Sequence, residues 1–256
     1  MKTKHVYICE DTTAGIFTGI YDAWVSRYGH TNNEIRVKEP DNLEFFSEYI
    51  YVKTDNEKAL KVTKSICSKI SEEIYIILYN VSLSNRPEKA EHIYRFLILG
   101  FAMGKEVLRF LTNPDVNAVV KIEQNVKKEF FHYEGFLRFV QIKNGILAAR
   151  FRPENNVLAV VADFFSDRMP DENWIICDEG RRTAAFHEAG KAWFLYQNFS
   201  LEEHAGKAEK DEYYRLWKQF VDTIGIKERK NDKLRFQMLP NRYREYMPEV
   251  EWKGKK

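Results

Sequence analysis

The chain has 256 residues, 44% of them hydrophobic and 14% aromatic, and a formal net charge of +2. That length and composition suit one large domain or two small ones with a real core, and exclude a disordered chain. The near-neutral charge excludes a globally basic nucleic-acid binder, so any such surface must be a local patch.

Met1-Lys2-Thr3-Lys4-His5 leads straight into a strand-like segment over 5–9. No leader-like apolar stretch and no membrane-length run is visible, so a cytoplasmic protein without membrane contact is expected. Thr12-Thr13 offers a cap to a helix over 15–28, where Ile16, Ile20, Ala23, Trp24 and Tyr28 recur at helical spacing. Residues 32–42 read as a polar loop, and alternation over 48–53 predicts a second strand. From 56 to about 131 the pattern is helical. Ala59, Val62, Ile66 and Ile70 form one stripe, and Ile74, Ile77, Leu78 and Val81 a second. Pro87 reads as the first-turn proline of a long third helix reaching Leu111, with Gly100 and Gly104 on one face for close packing. Asn113-Pro114 ends it, and 116–131 make a fourth helix, lysine-rich on its polar side.

The pattern changes at Gly135. Two strands follow, joined by Lys143-Asn144-Gly145-Ile146, the strongest hairpin signal in the chain. A short helix over 156–168, a strand over 174–177 and a second hairpin turning at Ala189-Gly190 come next. A last helix over 208–224 and a basic tail close the chain. The expected fold class is α+β. Residues 1–130 form a mixed, mostly helical region. Residues 131–256 form a strand-strand-helix-strand-strand-strand module with a C-terminal helix and tail.

A two-residue turn at Asn144-Gly145 sets Phe139 opposite Arg150 and Leu137 opposite Arg152. That face mixes arginine with an aromatic ring, which suits phosphate and base contact, although an ordinary solvated sheet face has the same composition. The other face is apolar except for Arg138. A buried guanidinium needs a carboxylate, and Asp178 is the first choice, Asp167 the second. The pair is either core structure or part of a binding site. On the helix over 156–168, Arg168 falls on the stripe of Val157, Leu158, Val161, Phe164 and Phe165. It either caps that helix or converges with Asp178, Arg181 and Arg182 on an anion pocket.

No complete catalytic constellation is readable. His187-Glu188 begins like a zinc-protease motif, but Lys191 stands where the second histidine belongs. Asp163, Asp167, Asp178 and Glu179 hold a metal only if they converge, and surface charge is the plainer account, so no metal is expected. Cys177, Asp178 and His187 imitate a nucleophile set, but Cys9, Cys67 and Cys177 lack any CxxC spacing and read as buried hydrophobes. No phosphate-binding or dinucleotide loop is present, and no cofactor is expected. The tail carries Arg242-Tyr243-Arg244 and further lysines and arginines over 227–235. It is either a phosphate-contacting element or a tail that packs its tyrosines on the body.

Three blocks carry a resemblance: Phe131-His132-Tyr133-Glu134-Gly135-Phe136-Leu137-Arg138-Phe139, Asp163-Phe164-Phe165-Ser166-Asp167-Arg168, and Trp174-Ile175-Ile176-Cys177-Asp178 with Arg181. Tyr7 to Trp24 and Leu239-Pro240-Asn241-Arg242-Tyr243 add to it. The chain resembles an uncharacterised bacterial family linked to DNA metabolism and repair. Its genes neighbour that of a radical S-adenosylmethionine protein, and some members are fused to a uracil-DNA-glycosylase-like domain. The family is expected to carry a histidine where this chain has Asp163. The resemblance implies a DNA-associated accessory protein working with such a partner. Its DNA contacts would come from Arg138, Phe139, Arg150, Arg152, Arg168, Arg181, Arg182, Arg242, Tyr243 and Arg244. The alternatives are a nucleic-acid hydrolase using Asp163, Asp167, Asp178 or His187 near Arg138 and Arg168, and a protein-interaction subunit.

Overall fold

The computed structural model describes residues 3–40, 42, 44–142, 145–201, 239 and 241–247. The helix expected over 208–224 and the basic run over 227–235 lie outside the described residues. The fold is α+β, in two compact units, 1–128 and 129–256.

The first unit is built on a three-stranded parallel sheet in the order β2-β1-β3, with β1 (Lys4–Ile8), β2 (Asn33–Arg36) and β3 (Ser47–Tyr51). Strand β2 corrects the expected loop. Only Ile35 of its four residues is a buried apolar side chain, so no alternation shows. Helix α1 (Thr13–Val25) crosses over from β1 to β2, and the Thr12 hydroxyl accepts from the Gly15 amide at 2.9 Å. It lies so close to β1 that a Cβ on Gly19 would stand 2.1 Å from the Cys9 sulfur. Helices α2 (Asn56–Lys69) and α3 (Glu72–Ser82) carry the two apolar stripes and start on side-chain caps from Asp55 and Ser71. Helix α4 (Lys89–Met103) is shorter than expected. Gly104 adopts φ +61 and ends it, and a 3-10 segment follows, so Gly104 is a terminator and not a packing surface. Gly100 does pack closely, with Ile70 3.0 Å from where its Cβ would be. Asn113 then caps helix α5 (Pro114–Phe136). Among the described residues no helix is long and apolar enough to cross a membrane.

The second unit is a five-stranded sheet in sequential order: β4 (Phe139–Gln141), β5 (Leu147–Phe151), β6 (Trp174–Asp178), β7 (Thr183–His187) and β8 (Phe194–Gln197). β5 and β6 are parallel, linked through helix α6 (Leu158–Arg168), and the other pairs are antiparallel. All five residues of β6 are buried, as expected of a central strand covered on both faces.

The first hairpin departs from the expected register by one residue. Phe139 pairs with Ala149 and Gln141 with Leu147, and the Ile142 amide donates to Ile146. The loop therefore holds three residues and ends on Gly145 at φ +75, the left-handed position that a three-residue hairpin loop demands. Side chains alternate along a strand, so a one-residue slip exchanges the faces. Phe139 moves to the face that α6 covers, where it is half-buried with its ring 5.0 Å from that of Phe165.

Candidate functional site

In a parallel pair with a helical crossover, ligand sites form beyond the carboxyl ends of the strands. Here those ends carry Arg152-Pro153-Glu154-Asn155 after β5 and Glu179-Gly180-Arg181-Arg182 after β6. Among the described residues, most of the unit's ion pairs gather there, on the two faces of the sheet.

On the face that carries Phe151, Asp178 is fully buried. Its carboxylate accepts from the amides of Gly180 and Arg181 at 2.9 and 3.1 Å, and from the Arg181 guanidinium at 3.0 Å. Burial holds the carboxyl above its ordinary pKa, against the pull of Arg181. Arg181 also donates to the carbonyls of Pro153 and Glu154 at 3.1 and 2.7 Å, stapling the two strand ends together.

A second carboxylate completes this layer. Glu129 of α5 is 1% exposed and accepts from the Glu154 amide, the Asn155 amide and the Asn155 side chain at 2.9, 2.8 and 2.6 Å. Arg242 reaches Glu154 at 2.5 Å and Glu129 at 3.6 Å, and donates to the Tyr243 hydroxyl at 2.9 Å. Tyr243 is buried beside His132, Tyr133 and Phe136, with its hydroxyl 3.1 Å from His132 Nδ1. Burial raises the pKa of Tyr133, whose hydroxyl has no hydrogen-bond partner among the described residues. Chemically this layer is a latch: its carboxylates and guanidinium groups are committed to one another and to backbone.

On the opposite face, the buried cluster of Ala148, Cys177, Ala184, Phe199 and Leu201 gives way at the strand ends to charged side chains. Arg150 and Arg152 approach Glu179 at 3.4 and 3.7 Å, and the Tyr246 hydroxyl donates to the same carboxylate at 2.6 Å. A cleft of about 280 Å³ is lined by Arg152, Cys177, Glu179, Arg182, Phe199, Ser200 and Leu201. The Arg152 side chain is 60% exposed. Arg182 adopts φ +52, a conformation that side chains other than glycine enter at a cost. Burial pushes the Cys177 thiol up to about 11, so it is neutral at physiological pH.

The remaining candidates lie elsewhere. Arg138 is half-buried just before β4, and its guanidinium donates to the carbonyls of Gly135 and Leu137 at 2.7 and 3.2 Å. The expected Asp178 partner is taken by Arg181, and Asp167 is exposed on α6. Arg168 is exposed at the end of α6, 6.0 Å from the Phe164 ring, and does not join the strand-end cluster. Asp163 accepts from the Trp193 indole at 2.8 Å. His187 stacks on Trp174 at 4.8 Å, its Nδ1 2.8 Å from the Glu172 carbonyl oxygen. Cys177 and Asp178 are consecutive strand residues and point to opposite faces. The four catalytic candidates therefore do not converge, and among the described residues no group of three or more His, Cys, Asp or Glu side chains is placed to hold a metal. Arg244 donates to the Leu239 carbonyl at 2.9 and 2.6 Å.

Glu129 and Asn155 are the participants that sequence reading misses as site residues, and Glu179 enters there only as a possible metal ligand. Glu129 had a usable signal, since it continues the buried stripe of Val119, Ile122, Val126 and Tyr133.

Fold and site together define an α+β protein with an arginine-lined cleft at the carboxyl ends of a parallel strand pair. Residues 87–249 match the family described as a domain of unknown function, DUF4130, and the chain belongs to it. No curated protein matches the chain. Among solved structures it is similar to one described as the DHH domain of a member of the S1p family of ribosomal proteins. That likeness has 10% identity and a TM-score of 0.34, covering 72% of this chain and 73% of that one.

Proposed function

We propose that this protein is a DNA-associated accessory factor in repair or modification, whose cleft beside β5 and β6 holds a backbone phosphate. The observation that carries this reading is the placement of Arg152 and Arg182 on one polar cleft at the strand ends. Arginine suits phosphate because its planar fork donates two parallel hydrogen bonds. The resemblance noted from sequence supplies the DNA context and the partner, a radical S-adenosylmethionine or glycosylase-type protein. The tail motif moves from contact to support: Arg242 and Tyr243 belong to the buried latch, and Arg244 caps a backbone carbonyl.

The test is fluorescence anisotropy of labelled single- and double-stranded oligonucleotides over a salt series. Binding is expected to weaken with salt. The double variant Arg152→Ala/Arg182→Ala should lower the logarithmic salt slope on duplex by about 2, roughly one per lost phosphate contact. Absence of salt-dependent binding, or a slope unchanged in the variant, refutes the reading.

A protein-interaction subunit is the second reading. It is favoured by Phe194, Leu195 and Tyr196 on edge strand β8, each more than half exposed. A nucleic-acid hydrolase has less behind it, since its candidate groups lie apart.

A further inference from the structure

The first unit carries a groove of about 410 Å³ between α1 and α2 that the DNA reading does not use. Its apolar wall includes Ile20, Val25 and Val62, and its rim carries Lys61 and Lys69. The two lysines are eight positions apart on α2, so they stand about 12 Å apart along one face, with Ser65 between them. Nearby Lys58 is neutralised by Asp22 at 2.7 Å. No carboxylate lines the groove among the described residues, so the rim is cationic.

Two aromatic residues also border it, and their arrangement selects the occupant. Lys58 and Lys61 already stand 5.9 and 5.6 Å from the Tyr21 ring centroid. Trp24 is packed edgewise with His30 and Phe101 at 4.5 and 5.3 Å. Rings held in this way do not offer the free stacking platform that a nucleobase requires. An apolar trough with a charged bank instead matches the way an amphipathic helix is received, with apolar anchors inserted and charges paired at the edge.

We infer that the α1–α2 groove binds an acidic amphipathic helix of a partner protein, with apolar anchors against Ile20, Val25 and Val62 and carboxylates paired to Lys61 and Lys69. Lys61 and Lys69 are exposed, so their charges can be reversed without disturbing the core. Most of the groove's lining precedes residue 87, where the family match begins. This site is independent of the Arg152–Arg182 cleft.

The experiment is a selection of displayed helix-forming peptides of about 16 residues on the full chain, a length that spans such a groove. Enriched peptides should carry apolar residues at helical spacing flanked by glutamate or aspartate. Their affinity should fall about tenfold or more for Lys61→Glu/Lys69→Glu, with far-ultraviolet circular dichroism confirming that the variant is folded. Exchanging the peptide's carboxylates for lysines should restore binding to that variant, and Arg152→Ala/Arg182→Ala should leave peptide affinity unchanged. Failure to select a binder, an enriched set without acidic bias, or equal affinity for the charge-reversed variant overturns the proposal. Displacement of the peptide by short oligothymidylate from a site sensitive to Lys61 and Lys69 assigns the groove to nucleic acid and overturns it as well.

Discussion

Replacing Glu129 by glutamine keeps the side chain's length and volume and removes its charge. In the native protein Oε1 serves the Glu154 amide, and Oε2 serves both the amide and the side chain of Asn155. Glutamine has one acceptor oxygen. Whichever way its amide turns, an NH2 group faces a backbone N–H in a site that is 1% exposed. One buried donor loses its acceptor, at a cost of about 1–3 kcal/mol. The surviving bonds lose their charge assistance, and a charge-assisted bond is roughly twice as strong as a neutral one. The expected total is about 2–4 kcal/mol. With a urea dependence of about 2 kcal/mol per molar, the midpoint falls by about 1–2 M. Glu129→Ala should cost more, about 3–5 kcal/mol, because all three donors lose their acceptor and Arg242 keeps only the Glu154 carboxylate. The assay is urea unfolding with pulsed hydrogen exchange read on peptides from 147–168, so that the transition belongs to this unit. A glutamine variant whose midpoint lies within about 0.3 M of the wild type would refute the claim that the carboxylate holds the latch.

Two further outcomes are expected. Gly19→Ala should destabilise the first unit by about 1–3 kcal/mol, because its Cβ would stand 2.1 Å from the Cys9 sulfur. Cys9→Ala in the same chain should recover part of that loss, and a thermal double-mutant cycle with no coupling between the two positions would contradict the packing. The thiols should also separate by reactivity. Burial pushes Cys9 up to about 12 and Cys177 up to about 11, whereas Cys67 is only partly buried. In the native protein at mildly alkaline pH, Cys67 should react first with a disulfide reagent, and Cys9 and Cys177 only on unfolding. Rapid labelling of Cys177 in mass-spectrometric mapping would contradict its burial.

Much of this fold is written as periodicity. The stripes of α2 and α3, the apolar run Trp174–Cys177 of β6 and the turns at Gly145 and Gly190 are local signals, and the structure places them within a few residues of their expected bounds. Two kinds of feature were not legible. Strand β2 has one buried apolar residue, and it exists because β1 offers it a parallel edge, which is a tertiary fact. The register of the first hairpin turned on one loop residue, and that single residue decided whether Phe139 shares a face with Arg150 or packs beside Phe165. The site suffered most from this. Face assignments built on the expected register gave Arg138 the carboxylate of Asp178, whereas Arg181 holds that carboxylate and the Arg138 guanidinium donates to two carbonyls at the end of α5. The pairing of Asp178 with Arg181, three residues on, is a local contact that the grouping of Asp178, Arg181 and Arg182 at the strand ends anticipates.

Arg182 holds a backbone conformation in which a side chain costs about 1–2 kcal/mol relative to glycine. The simplest stabilising change at this corner is therefore Arg182→Gly, and it removes one of the two guanidinium groups on the cleft. Selection for thermal robustness and selection for an intact cleft pull this one codon in opposite directions. A lineage released from the cleft's task would be expected to drift toward glycine or asparagine here long before its core changed. Residue 182 is thus a compact record of whether the cleft is still in use.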